Sequence, residues 1–314
     1  MRNALFVAAG VLVVGCATES EPQYVSGFRP PPAPAGYTRF VSPITRDIAP
    51  GADLEMCQWV AGPSPTAQDV LDFVGAQSMT GHHATLYATT ETKYAVGESH
   101  PCTEQDMLTI SFVGAIGGEG TGSNTKLLPD GLFFRLPANQ ALMINSHWVN
   151  ATDQAVDGQA VLDVKFAPAS DQRQVADLFS NNGVRFAAMP GVTAYDTSCV
   201  LQQDLNFAVA FNHMHQYGLS AYTELIRAGG PTDMIIQDPT WASDQGFNPK
   251  FSKYALATPM VGHAGDTIHT HCEWQNTTQA PLMFPTEMCV GVGFYFPGRG
   301  QISCVDGAWQ TPKN

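Results

Sequence analysis

The sequence predicts an all-β protein of two tandem antiparallel β-sandwich domains, and three observations carry that reading. Apolar and polar residues alternate in short runs at Leu108 to Val113, Ala160 to Phe166 and Leu205 to Ala210, with Tyr222 to Arg227 less regular. Alternation with a period of two turns one face of a strand to a core and the other to water. Turn signals separate the runs, among them Gly117-Gly118-Glu119-Gly120, Pro129-Asp130-Gly131, Asn182-Gly183 and Gly229-Gly230-Pro231, at the spacing expected of sandwiches. Finally, 14% of the residues are charged while 29 Gly and 22 Pro punctuate the chain, which favours short strands and turns over long salt-bridged helices.

Element by element, one or two helical turns are expected near Thr66 to Phe73, and Gly117 to Ser123 reads as a flexible hairpin loop. No internal repeat, heptad pattern or membrane span beyond the N-terminal segment is visible. The stretch Ala167 to Met189 mixes Pro168, Asp171, Gln172, Asn181 and Asn182 between two strand-rich halves. The boundary is therefore placed near residue 175, with residues 38–175 and 176–306 as the two domains and 307–314 as a tail.

Charge and cysteines bound the setting. Fifteen Lys and Arg against 28 Asp and Glu leave a net charge of −13 over 314 residues, so neither nucleic acid nor an anionic membrane face is expected as a partner. The chain starts with Arg2, an apolar stretch Ala4 to Val14, and Val13-Val14-Gly15-Cys16. That apolar stretch is too short to span a hydrocarbon core of about 30 Å. It resembles a bacterial lipobox, which implies a signal peptide at residues 1–15 and lipid on Cys16; ordinary cleavage after a small residue is the simpler alternative. Residues 16–37, with Pro30, Pro31, Pro32 and Pro34, read as an extended tether, so folding is expected to start near Tyr37. The expected location is the bacterial cell envelope, lipid-anchored on the outer-membrane or periplasmic side. Six cysteines remain, Cys57, Cys102, Cys199, Cys272, Cys289 and Cys304, none spaced as C-x-x-C. In an exported chain they should form three disulfides, with fifteen connectivities open.

Histidine carries the chemistry. Five of the nine fall at His82-His83, His147 and His213-Met214-His215. Residues i and i+2 of a strand share a face, so His213 and His215 can close on one ion as neutral imidazoles. Adjacent His82 and His83 normally face opposite ways and can share an ion only at a strand end or an irregular turn. A lone His-x-His is more commonly a surface or structural pair, and His-His more so.

Met288 in Thr286-Glu287-Met288-Cys289, ahead of the aromatic strand Phe294-Tyr295-Phe296, and His147 in Ser146-His147-Trp148 add to the pattern. Gly81-His82-His83, Ser146-His147-Trp148, His213-Met214-His215-Gln216-Tyr217-Gly218 and Glu287-Met288-Cys289, in this order, resemble the type II copper, ascorbate-dependent monooxygenases. That family includes the peptidylglycine hydroxylating and dopamine β-monooxygenases. The resemblance covers roughly residues 50 to 305. It implies two jelly-roll-like β-sandwiches, each holding one copper, and the disulfides Cys57–Cys102, Cys199–Cys304 and Cys272–Cys289. It also implies that His82, His83 and His147 hold an electron-relaying copper. His213, His215 and Met288 would hold the catalytic copper that meets dioxygen and a substrate C–H bond, the two ions not touching. A thioether favours Cu(I), and zinc rarely selects methionine. Two copper ions per chain and ascorbate or another reductant are expected, with O2 and a small-molecule substrate as partners and a monomeric chain.

The peptide-amidating relatives place an Arg two residues before the His-x-His, and Asn and Tyr two and four residues after the ligand Met. Phe211, Val290 and Val292 stand at those positions here. Peptide amidation is therefore disfavoured, and these three residues are expected either to line an apolar substrate pocket or to lie in the core. A second His-x-His, His269 and His271, resembles part of a structural strand ending at Cys272 and ranks below the first pair as a metal site, while His100 and His263 are expected at the surface. A copper carrier of the envelope is the alternative to a monooxygenase; a sugar-binding or adhesive sandwich with incidental histidines would leave Met288 unexplained.

Overall fold

The computed structural model describes residues 23–103, 106, 110–118, 120–122, 127–246, 249–284 and 286–311. Cys16, and with it the signal and lipid readings, lies outside the described residues. The first half carries β1 (Thr38–Val41), β2 (Thr45–Ile48), β3 (Asp53–Ala61), β4 (Gln68–Gln77), β5 (Gly81–Thr89), β6 (Ser99–Pro101) and β7 (Ile110–Gly117). It continues with β8 (Gly120–Gly122), β9 (Leu132–Leu136), β10 (Ala141–Val149), β11 (Val156–Gly158), β12 (Ala160–Pro168) and β13 (Gln174–Val175). The second half carries β14 (Asp177–Gly183), β15 (Gly191–Val200), β16 (Leu205–His213), β17 (Gly218–Ile226), β18 (Thr232–Asp238) and β19 (Ser252–Lys253). It ends with β20 (Met260–Gly262), β21 (Thr267–Asn276), β22 (Cys289–Phe296), β23 (Ile302–Val305) and β24 (Ala308–Gln310).

The protein is all-β. A sheet ordered β1-β12-β4-β9-β13, with β8 beside β4, packs on a sheet ordered β6-β3-β10-β5-β7, and β2 pairs with β11. In the second half, β19-β16-β22-β14-β23-β24, with β20 on β16, packs on β15-β21-β17-β18. Among the described residues, no strand of one half pairs with a strand of the other. Alternation does what the sequence implies on β21, where Ile268, Thr270, Cys272 and Trp274 are buried and His269, His271 and Glu273 face outward. The disulfides are Cys57–Cys102, Cys199–Cys304 and Cys272–Cys289, each within one half.

Several expectations are corrected. Thr66 to Phe73 is not helical: residues 68–77 form β4, in register with β12. Asp69 on this strand is fully buried, accepting from Arg135 Nε at 2.6 Å and from Arg173 Nη1 at 3.0 Å. Asn182-Gly183 is the end of strand β14, not a turn; Gly183 is small because a Cβ there would meet Tyr195 at 2.6 Å. Asn181 is buried and donates to Thr197 O and Thr270 Oγ1, joining the two sheets. Within Gly117 to Ser123, residues 120–122 pair with β4 rather than forming a loop. The tether is shorter than expected, because Val25 and Phe28 are buried against Ala76 and Val161. In the tail, Trp309 lies on β24 and packs on Phe179.

The halves are joined by a continuous apolar seam. Phe294 of β22 lies with its ring 5.4 Å from Phe112 and 5.0 Å from Phe134, both in the first half. Val209, Phe294 and Phe296 belong to the same buried cluster as Leu86, Ile144 and Leu162. Phe294→Ala would open a cavity in this seam and should lower unfolding stability by about 3–5 kcal/mol, read from urea denaturation. A loss below about 1 kcal/mol, well under the usual core-aromatic cost, would show that the halves do not share a core.

Candidate metal centre

His83 on β5 pairs directly with His147 on β10, so their side chains share a face. The next pair is Gly81 with Trp148, so His82 is the extra residue of a β-bulge. The bulge removes the objection to adjacent histidines: His82 turns to the side that His83 and His147 already occupy. His82 Nδ1 stands 3.1 Å from His147 Nδ1, and one ring nitrogen from each of the three lies within 4.8 Å of the others. Two nitrogens each about 2.0 Å from one ion at a near-tetrahedral angle stand about 3.3 Å apart. His83 Nδ1 is buried without a hydrogen-bond partner.

Supporting residues fix the arrangement. Buried Gln77 donates to the carbonyls of His83 at 3.0 Å and His147 at 3.4 Å, tying the two ligand strands together. Gly81 is needed there, since a Cβ would meet Gln77 at 2.4 Å. His147 donates its Nε2–H to Asp53. That bond selects the tautomer whose Nδ1 lone pair faces His82, the usual carboxylate–imidazole support of a metal ligand. The hydrogen bond from His147 lowers the Asp53 pKa.

The second set forms where β16 ends. Met214 points into a buried cluster with Trp241, Trp274 and the Cys272–Cys289 disulfide. On the other side, His213 Nε2 and His215 Nε2 stand 3.2 Å apart. His213 pairs with Val290 in the last pair of the β16–β22 ladder, and half-buried Met288 lies just before β22, two residues from Val290 in the chain. His215 Nδ1 donates to Thr286 O at 3.1 Å, which leaves Nε2 free to coordinate. The fully buried Glu287 carboxylate accepts from the His215 N–H at 3.0 Å, the Tyr217 N–H at 2.7 Å and Trp274 Nε1–H at 2.9 Å. Burial pushes the Glu287 pKa up, and these donors oppose the shift. Sequence reading quoted Glu287 only as a neighbour of Met288 and missed this positioning role; the signal was an acidic residue at the mouth of an aromatic strand.

The two sets are not remote. The His147 and His215 rings lie 6.2 Å apart between centroids, so five imidazoles form one continuous group across the seam. Burial, reinforced by neighbouring imidazoles, pulls the pKa of His82 and of His213 down to about 3 and that of His83 well below its ordinary value. Neutral imidazole is the form that coordinates metal.

Phe211 pairs with Val292 as His213 pairs with Val290, so all three expected pocket residues share the His213 face. Val290 is buried; Phe211 packs on Phe251 at 5.3 Å and Phe294 at 6.1 Å. The wall beside His213 is therefore apolar and partly committed to the seam. Inside the second sandwich, the cavity lined by Thr223, Gly291 and Val292 holds about 10 Å³, no more than one water. His100 is not the surface residue expected: it is half-buried, stacked on Trp59 and bonded to Asp106 at 3.0 Å. His263 is exposed beside Asp204. His269 and His271 lie on the outer face of β21, away from the five-imidazole group.

No family model matches the chain, and no curated protein matches it. Among solved structures, the chain is similar to the major capsid protein P2 of bacteriophage PM2 (7% identity, TM-score 0.30, covering 82% of this chain and 97% of that one). It is also similar to a triple jelly-roll protein of an archaeal virus (7% identity, TM-score 0.25, 83% and 59%) and to the Gx strain of infectious bursal disease virus (10% identity, TM-score 0.21, 84% and 68%). These likenesses carry no functional argument.

Asp53→Asn should weaken metal binding by His82, His83 and His147 by about 10- to 100-fold, read by titrating a transition-metal ion against a competing chelator. The same burial sets a pH dependence. Unfolded imidazoles protonate near pH 6.5, whereas folded His82 and His213 resist protonation until about pH 3. Their share of stability is thus complete above about pH 6.5 and is lost as pH falls toward 3. The urea midpoint of the metal-free protein should drop on acidification through this window, and less steeply in His213→Gln.

Proposed function

We propose that this protein is a copper-dependent monooxygenase that hydroxylates a C–H bond of a small apolar or aromatic substrate. His82, His83 and His147 would hold one copper, and His213, His215 and Met288 the other. The observation that carries the reading is the convergence of two imidazole sets, one with an unpartnered buried nitrogen, on facing sides of one seam. When bound, copper would supply one-electron transfer and dioxygen activation. The reaction balances as R–H plus O2, two electrons and two protons giving R–OH and water, with ascorbate or another external reductant supplying the electrons.

The chain's own residues have distinct tasks. Asp53 and Gln77 hold His147 and His83 in their donor orientation, and Glu287 fixes His215. Met288 adds a soft thioether that favours the reduced ion. Phe211, Val290 and Val292 exclude water beside His213 and offer no partner to a charged substrate, which argues for an apolar one. Lipid on Cys16 would hold the protein at the envelope.

The purified protein should bind two copper ions and consume O2 with a reductant on a panel of apolar and aromatic substrates. Met288→Ile keeps nearly the same apolar volume, so packing should lose less than about 1.5 kcal/mol while the soft ligand is removed. The variant should fold, take up Cu(II), and fail to consume O2. Wild-type turnover in Met288→Ile would make Met288 a packing residue. A wild type that binds copper yet never consumes O2 would favour copper carriage instead.

A further inference from the structure

The two halves repeat one another around the metal centre. β10 lies between β3 and β5 in its sheet as β21 lies between β15 and β17, and β4 leads into β5 as β16 leads into β17. The agreement extends to single residues. Buried Trp148 pairs with Gly81, and a bulge follows before His83 meets His147. Buried Trp274 pairs with Gly218, and a bulge follows before Ser220 meets Glu273. Two residues after each Trp, Asn150 and Asn276 close the same turn. Each donates to the carbonyl four residues on and accepts from the N–H and the hydroxyl of the Thr two residues on.

Gly218-Leu219-Ser220 with Glu273 is therefore the counterpart of Gly81-His82-His83 with His147, every imidazole replaced. Ser220 Oγ donates to Glu273 Oε2 at 3.1 Å, which satisfies that position internally. The bulge is kept nevertheless, and it serves a different end. In the first half the carbonyl of the bulged His82 accepts from the N–H of Gly118, which brings no side chain. In the second, the carbonyl of the bulged Leu219 accepts from the N–H of Trp241 at 2.8 Å, whose indole is buried with Met214 and Trp274. Gly218 makes room for it, since a Cβ there would meet Trp241 Cδ1 at 2.5 Å. The indole Nε1–H then donates to His215 O at 3.0 Å.

We infer that Trp241, seated by the second half's copy of the first half's ligand bulge, is a positioning residue for His215. The inference rests on reading His213 and His215 as metal ligands. His215 lies past the end of β16, beyond the last pair of the β16–β22 ladder. Its N–H and its Nδ1 are held by Glu287 and Thr286, both on the segment leading into β22. Trp241 holds the remaining polar group, the carbonyl, from the segment that follows β18. Attachment from two directions fixes the backbone that carries the ring and so the approach of its Nε2 to His213 Nε2 at 3.2 Å. Among the described residues the other donor to that carbonyl is the Gly218 N–H at 3.4 Å, beyond the usual range for such a bond.

Trp241→Phe keeps an aromatic ring in the cluster and removes the N–H. It is compared with its parent in a His83→Ala, His147→Ala background, where the second set is left to bind, by titrating Cu(II) against a competing chelator. The variant should bind about 3- to 10-fold more weakly, the worth of one net hydrogen bond. Its Cu(II) EPR hyperfine pattern at saturation should also differ from the parent's. Gly218→Ala, which drives a methyl group into the indole, should act in the same direction. If Trp241 only packs, Trp241→Phe lowers the urea midpoint of the metal-free protein while the affinity and the EPR pattern stay those of the parent, and that result overturns the inference. A parent that takes up no copper overturns instead the reading of His213 and His215 as ligands, and the inference falls with it.

Discussion

The packing of Phe294 against Phe112 and Phe134 is the constraint from which the arrangement of this protein follows. Phe294 shares a sheet face with Val292, Val290 and His213 through the β16–β22 register. Seating that aromatic ring in the core of the first half carries the His213 face toward His147. Burial of each such ring stabilises by about 1.5–3 kcal/mol from its apolar area alone, so the seam holds the two sandwiches together as well as filling space. The 6.2 Å between the His147 and His215 rings is a consequence of this packing.

Local devices then convert proximity into chemistry. A bulge places His82 beside His83, and Gln77 ties His83 to His147 through its two backbone bonds. At the other set, Glu287 holds the turn after β16 by accepting N–H bonds from both His215 and Tyr217. These devices fix the backbone and rings around the group. Nδ1 of His83, like Oε1 of Gln77, is buried without a hydrogen-bond partner, and a buried polar atom left alone is costly unless a ligand or water meets it.

Much of the fold was legible because alternation is a local signal: Ala160 to Phe166 and Leu205 to Ala210 lie on β12 and β16. Reading failed where a polar residue is buried by a distant partner. Asp69 resembles a turn residue until Arg135 and Arg173 are brought to it, and Asn181 resembles a loop residue until it bridges two sheets. Spacing alone singled out only His213 and His215 as able to share an ion; the grouping of His82, His83 and His147 came from the family resemblance. The common direction of these three was not legible, because the bulge at His82 depends on how β5 pairs with β10. The closeness of the two sets was hidden for the same kind of reason, since Phe112 and Phe294 are far apart in the chain.

The central claim is that the five imidazoles and Met288 form two copper sites facing each other across the seam. Anomalous X-ray scattering at the copper edge, from crystals of the copper-loaded protein, tests it most directly. Two peaks are expected, one among His82, His83 and His147 and one among His213, His215 and Met288. Copper absent from both positions, or found only elsewhere on the protein, would contradict it.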